Sequence, residues 1–182
     1  NNMQQNVNLQ YNIYQPFWKF LNMYTNIGAT YERRVEPAAF QNFVIFSNLN
    51  TTFKNFLGAG LYANLEPVLT YDYFEPRVAG RYYEFPVNYS VGGYLSSNYS
   101  KKLALDLSID YRWFDSHNRQ NLGYSISPRF RPNDKLLMVY SFSNGYRYDE
   151  IGYAKNLKGE KGINDPEPIA DNKIIFGLRD VD

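Results

Sequence analysis

The sequence predicts an all-β chain: an antiparallel, up-and-down transmembrane β-barrel region of about eight or nine strands belonging to a larger barrel. Three observations carry this expectation. Over 103–113, LALDLSIDYRW, the residues Leu103, Leu105, Leu107, Ile109, Tyr111 and Trp113 alternate with Ala104, Asp106, Ser108, Asp110 and Arg112, so one face is apolar and the other polar. Eleven such residues exceed a usual globular strand and suit a tilted membrane strand of about 9–11 residues. Aromatic side chains make up 18% of the chain, with 18 Tyr and 13 Phe, which suits aromatic girdles at two membrane interfaces. The connections also sort by length along the chain.

Taken in order, Val7, Leu9, Tyr11 and Ile13 alternate with Asn and Gln and stop at Gln15-Pro16-Phe17, a strand and a tight reversal. Leu21, Met23, Ile27, Ala29 and Tyr31 define a second strand, broken by RRVEPAA. The third, over 41–53, is noisier, because Phe43, Val44, Ile45 and Phe46 are all apolar. After the turn at Lys54-Asn55, Gly58 and Gly60 fall opposite in parity to Leu57, Ala59 and Leu61, as expected where small residues face a crowded interior. Residues 65–86 read as a long, ordered, aromatic loop. Strands follow over 87–98 and 103–113, then over 122–130, and after the RPNDK turn over 136–143. A second long connection is read at 145–171, and a last strand at 172–178. Short connections at 15–17, 54–55, 98–102 and 131–135 thus alternate with longer ones at 34–39, 65–86, 114–120 and 145–171. Short turns on one rim and long loops on the other match a bacterial outer-membrane barrel. A soluble lipocalin-like barrel or sandwich is the competing architecture.

Composition narrows the function classes. A net charge of +1, from 19 basic and 18 acidic residues, gives no footprint for nucleic acid. The absence of Cys removes thiolate metal sites and disulfides, and with His117 as the single histidine no metal centre or other cofactor is expected. No nucleophilic triad, phosphate loop or dinucleotide fingerprint is present, so no catalytic residue is assigned. Length fits one domain over 1–182. The opening NNMQQNVNLQ lacks a signal-peptide pattern and IIFGLRDVD ends in charge, so the chain reads as an internal piece of a longer one.

The segments YERRVEPAAF, YDYFEPRVAGRYYEFP, SSNYSKKLALDL and NKIIFGLRD, in that order, resemble an outer-membrane barrel family of Bacteroidota whose members carry an N-terminal domain like a family 9 carbohydrate-binding module. The resemblance implies the middle of a barrel in the bacterial outer membrane, with neighbouring parts on both sides. It carries no activity onto residues here, because carbohydrate binding belongs to the N-terminal module.

Two groups of candidate site residues stand out. Tyr71, Asp72, Tyr73, Glu75, Arg77, Arg81 and Tyr82, with Phe74, Tyr83 and Glu84, crowd the 65–86 loop. They form either a platform for a sugar or peptide, or a loop folded into the lumen and held by Arg-carboxylate pairs. Asp106, Asp110, Arg112 and Arg129, with Arg131, share the parity of the lumen and form a charge ladder or a selectivity lining. The expected role is that of an integral outer-membrane barrel, surrounded by lipid, with a structural, binding or passage role and a carbohydrate as candidate ligand. The rivals are the barrel part of a surface glycan hydrolase, and an accessory subunit of an envelope complex for secretion or uptake.

Overall fold

The computed structural model describes residues 2–73, 75, 81–116, 118–157 and 173–181. In chain order the strands are β1 (Asn2–Ile13), β2 (Phe20–Arg34), β3 (Ala39–Phe53), β4 (Gly58–Glu66), β5 (Thr70–Asp72) and β6 (Tyr83–Phe85). They continue with β7 (Asn88–Ser96), β8 (Leu103–Phe114), β9 (Gln120–Asn133), β10 (Leu136–Val139), β11 (Phe142–Leu157) and β12 (Lys173–Val181). Ten of them build one antiparallel sheet in the order β1-β2-β3-β4-β7-β8-β9-β11-β12, with β10 also paired to β9. The remaining pair, β5 and β6, forms a separate small hairpin.

The all-β, antiparallel, up-and-down character of the chain is therefore as expected. The sheet is open among the described residues, with β1 and β12 unpaired along their outer sides. Two connections also differ from expectation. The 145–171 stretch is strand as far as Leu157, because β11 continues past Tyr148, changing partner from β9 to β12 across irregular register. The scattered Tyr, Arg and Glu of this segment hide the alternation that the sheet imposes. Residues 158–172 lie outside the described residues. The 65–86 loop, for its part, contains the β5-β6 hairpin.

Register sends one apolar set to a single face. Leu49, Leu61, Gly93, Ile109 and Tyr124 lie side by side on consecutive strands, and so do Leu95, Leu107, Ile126 and Phe142. Nothing described covers this face: Val7 is 74% exposed, Leu61 63% and Ile109 57%. Among the described residues the only buried hydrophobic side chains are Ala104 and Phe114. A chain of this size folded in water would bury many of its large apolar residues.

The polar face is concave. A cleft of about 420 Å³ is lined jointly by residues of β4, β7, β8, β9 and β11, strands that would spread over about 19 Å in a flat sheet at roughly 4.8 Å per strand. Glycines on this face supply room for the bending. Gly28 faces Phe46, Gly60 faces Tyr94, Gly92 faces Tyr62 and Gly123 faces Asp110, each directly across the strand pair. In every case a Cβ on the glycine would collide with the opposing side chain, which lies flat over it. The Phe46 and Gly28 pair also explains the noisy alternation of β3, since Phe46 fills the socket that Gly28 leaves on the polar side.

These sockets differ in tolerance. A Cβ at Gly28 would lie 2.5 Å from the Val7 carbonyl oxygen as well as from the Phe46 ring, whereas at Gly145 the nearest atom is 3.6 Å away. Gly28→Ala is expected to destabilise by about 1–3 kcal/mol through overpacking against backbone. Gly145→Ala is expected to be close to neutral, and urea midpoints of the two variants measure the difference.

Candidate functional site

Both rims and the cleft between them are built from the polar parity of the strands. At the short-turn rim, Asp106 accepts hydrogen bonds from Ser96 Oγ and Tyr99 Oη, each at 2.5 Å. The Arg129 guanidinium stacks on the Tyr99 ring, 4.3 Å from its centroid. Arg112 lies at the opposite rim, where its Nε donates to Asn88 Oδ1 at 2.8 Å and its Nη2 to Glu66 Oε1 at 2.9 Å. The lumen-parity charges expected from the sequence are thus divided: Asp106 and Arg129 meet around Tyr99, Arg112 pairs with Glu66, and Asp110 stands between the two groups over Gly123.

The β5-β6 hairpin folds over the polar side of the long-loop rim. Thr70 Oγ1 bonds Asn42 Oδ1 at 3.0 Å and Glu66 Oε2 at 3.1 Å, both side chains of the polar face. Tyr71 packs edge-on against Phe40 and Tyr82, with centroids 6.0 and 5.0 Å apart, and Tyr73 packs against Tyr82 at 5.5 Å. Arg34 sits over the Tyr73 ring at 4.6 Å. At the far side Tyr83 meets Phe176 of β12 at 4.7 Å. The Asp72 carboxylate accepts from the Glu75 backbone amide at 3.1 Å, closing the hairpin's own turn. Arg81 is exposed, Tyr82 is half exposed, and Arg77 and His117 lie outside the described residues.

Beneath the hairpin lies a cluster of buried side chains. Asn88 and Arg119 are 2% and 4% exposed, and Phe114 is 6% exposed. Arg119 pairs with Glu150 of β11, and its guanidinium lies 4.3 Å from the Phe114 centroid and 5.1 Å from that of Phe85 in β6. The buried cation, one residue before β9, therefore joins β8, β11 and the hairpin through Phe114, Glu150 and Phe85. Burial also pushes the Tyr83 hydroxyl above its ordinary value of 10.0; nearby Arg119 opposes that rise and Glu150 adds to it. A raised value in the folded state means that the neutral phenol favours the docked hairpin below pH about 10 and that this contribution fades as pH climbs through the raised value. Tyr83→Phe is accordingly expected to remove an alkaline step from the hairpin's protection against protease, and a pH series of limited digestion checks it.

Sequence reasoning missed Glu66, Asn88, Arg119 and Glu150. Continuing the polar parity of β9 backwards through Ser125, Gly123 and Asn121 reaches Arg119, so a signal existed there. Glu66 and Asn88 face one another in register at the ends of β4 and β7, which sequence spacing alone does not reveal.

The central cleft is lined by Tyr62, Asp110, Asn121, Gly123, Gly145 and Arg147, among others. Tyr62 lies over Gly92 and forms part of the cleft wall. Among the described residues neither the Asp110 carboxylate nor the Arg147 guanidinium has a hydrogen-bond or ion-pair partner. Asn121 Oδ1 likewise lacks a hydrogen-bond partner. Among the described residues no cluster of His, Cys, Asp and Glu is arranged to hold a metal ion.

Fold and site together define an all-β protein: one long antiparallel meander with a bare apolar face and a concave polar working face. The chain belongs to a domain family of unknown function, DUF5916, whose model matches residues 1–182. No curated protein and no solved structure matches it.

Proposed function

We propose that this chain is part of a transmembrane β-barrel of the bacterial outer membrane, with the apolar face toward lipid and the polar face toward an enclosed interior. The observation that carries the reading is the uncovered apolar face, with Leu61, Ile109 and their neighbours exposed and almost no apolar core beneath. Hydrocarbon is the solvent in which that arrangement is stable.

Aromatic placement supports it. Tyr89, Trp113 and Tyr111 stack near the long-loop rim, and Trp18, Phe20 and Phe53 cluster at the short-turn rim. From Leu103 to Trp113 is ten residue steps, about 33 Å of strand or roughly 25 Å when tilted by about 40°, the height of an apolar band. Open sheet edges are not stable in hydrocarbon, so on this reading β1 and β12 pair with further strands. The β5-β6 hairpin narrows the interior at the long-loop rim.

The role proposed is structural, binding or passage, linked to glycan handling in a Bacteroidota envelope, without catalysis by this segment. Folding of the full-length protein, with the strands that this reading adds beside β1 and β12, into lipid vesicles is the first test: expected are β-sheet circular dichroism, protease resistance and a mobility that shifts on boiling. A stable monomer in buffer without detergent or lipid overturns the membrane reading. Conductance in planar bilayers then separates passage from a closed structural or binding role.

A further inference from the structure

Resting on the reading that the polar face bounds a water-filled interior, we propose that the cleft over Gly123 and Gly145 is a binding site for a neutral saccharide. The Tyr62 ring is its stacking platform, and Asp110 and Arg147 hydrogen-bond its hydroxyls.

Three features carry this. The Tyr62 ring lies over Gly92 and lines the cleft, and an aromatic ring in a cleft wall can receive the C–H face of a pyranose. Among the described residues, charge in the cleft is balanced: Arg112 is already matched by Glu66, which leaves one unpaired carboxylate, Asp110, and one unpaired guanidinium, Arg147. A phosphate or a simple cation would satisfy one and repel the other, whereas a hydroxyl both donates and accepts and so answers both. The floor is also bare, since a Cβ at Gly145 would meet nothing closer than 3.6 Å, and the cleft's roughly 420 Å³ falls in the range that holds a small ligand. A zwitterionic peptide would answer the two charges without using the ring face.

The test is calorimetric titration of the full chain, folded in detergent, with glucose, maltose, cellobiose and diglycine. Heat is expected with at least one of the three saccharides and not with diglycine. Gly145→Val, which fills the floor, and Asp110→Asn are each expected to weaken binding by about tenfold or more, with circular dichroism and boiling-dependent mobility unchanged. Tyr62→Phe is expected to keep binding and Tyr62→Ala to lose it. Preference for diglycine, saccharide binding that survives Gly145→Val, or no heat with any of the three sugars overturns the proposal. Should the chain instead fold in buffer without detergent, the membrane reading fails on its own, and the same titrations and variants decide the cleft in that buffer.

Discussion

Replacement of Leu107 by Arg is expected to cost about 2–4 kcal/mol of folding free energy in a bilayer, the penalty of a charged side chain near the midplane of a barrel's lipid face. Leu107 is flanked by Leu95 and Ile126 on the apolar face and lies near the middle of β8. Its neighbour Ser108 points the other way, toward Tyr94 and Ser125, and bonds Ser125 Oγ at 2.7 Å. Ser108→Arg therefore loses one neutral hydrogen bond in a hydrated setting and is expected to cost about 1 kcal/mol. The contrast matters because water reverses it: on a sheet whose apolar face met solvent, Leu107→Arg would be neutral or would improve solubility. Urea titrations of both variants in lipid vesicles give the two numbers, and equal costs would show that the faces are assigned to the wrong surroundings.

Arg119→Ala is expected to destabilise by about 3–5 kcal/mol, the cost of leaving a buried charge without its partner. The side chains of Arg119 and Glu150 are 4% and 13% exposed, so neither is rescued by water when the other is removed. The damage is expected to be local first. Phe85 and Phe114 lose the guanidinium between them, and the β5-β6 hairpin becomes open to protease before the large sheet unfolds. Arg119→Lys keeps the charge but not the planar stack and is expected to recover only part of the loss. Replacing both partners by Met removes the unpaired charge and is expected to cost less than Arg119→Ala alone. An Arg119→Ala chain with unchanged urea midpoint and unchanged digestion around 73–82 would sink the account of the hairpin.

Much of this architecture was legible before any coordinates. In β8 the period of two over 103–113 is so regular that the strand and both its faces could be read directly, because a pleated backbone sends successive side chains to opposite sides. The short turns were equally plain. Residues 145–157 were not, because Tyr146, Arg147, Tyr148, Asp149 and Glu150 carry no hydropathy contrast; pairing with β9 and β12 makes strand of this segment on either side of a bulge at Asp149, whose φ is 51°. In the described part of the aromatic loop, the expected binding residues Tyr71, Tyr73 and Tyr82 prove to be packed largely on one another, and the anchors come from elsewhere. Among the described residues, Arg112 with Glu66 and Arg119 with Glu150 are Arg-carboxylate pairs at that rim, partners 46 and 31 residues apart.

What the sequence determined by itself is the ribbon: antiparallel strands, one oily face and one polar face, with long connections gathered at one rim. Those are local properties, set by alternation and turn chemistry within a dozen residues. What only the tertiary structure decided is which glycines become sockets, which charges find partners and which stay bare in the cleft, and where the hairpin lands. These depend on register between strands distant in sequence, and on a curvature that brings β4 and β11 to one cleft, neither of which any single stretch of the chain encodes.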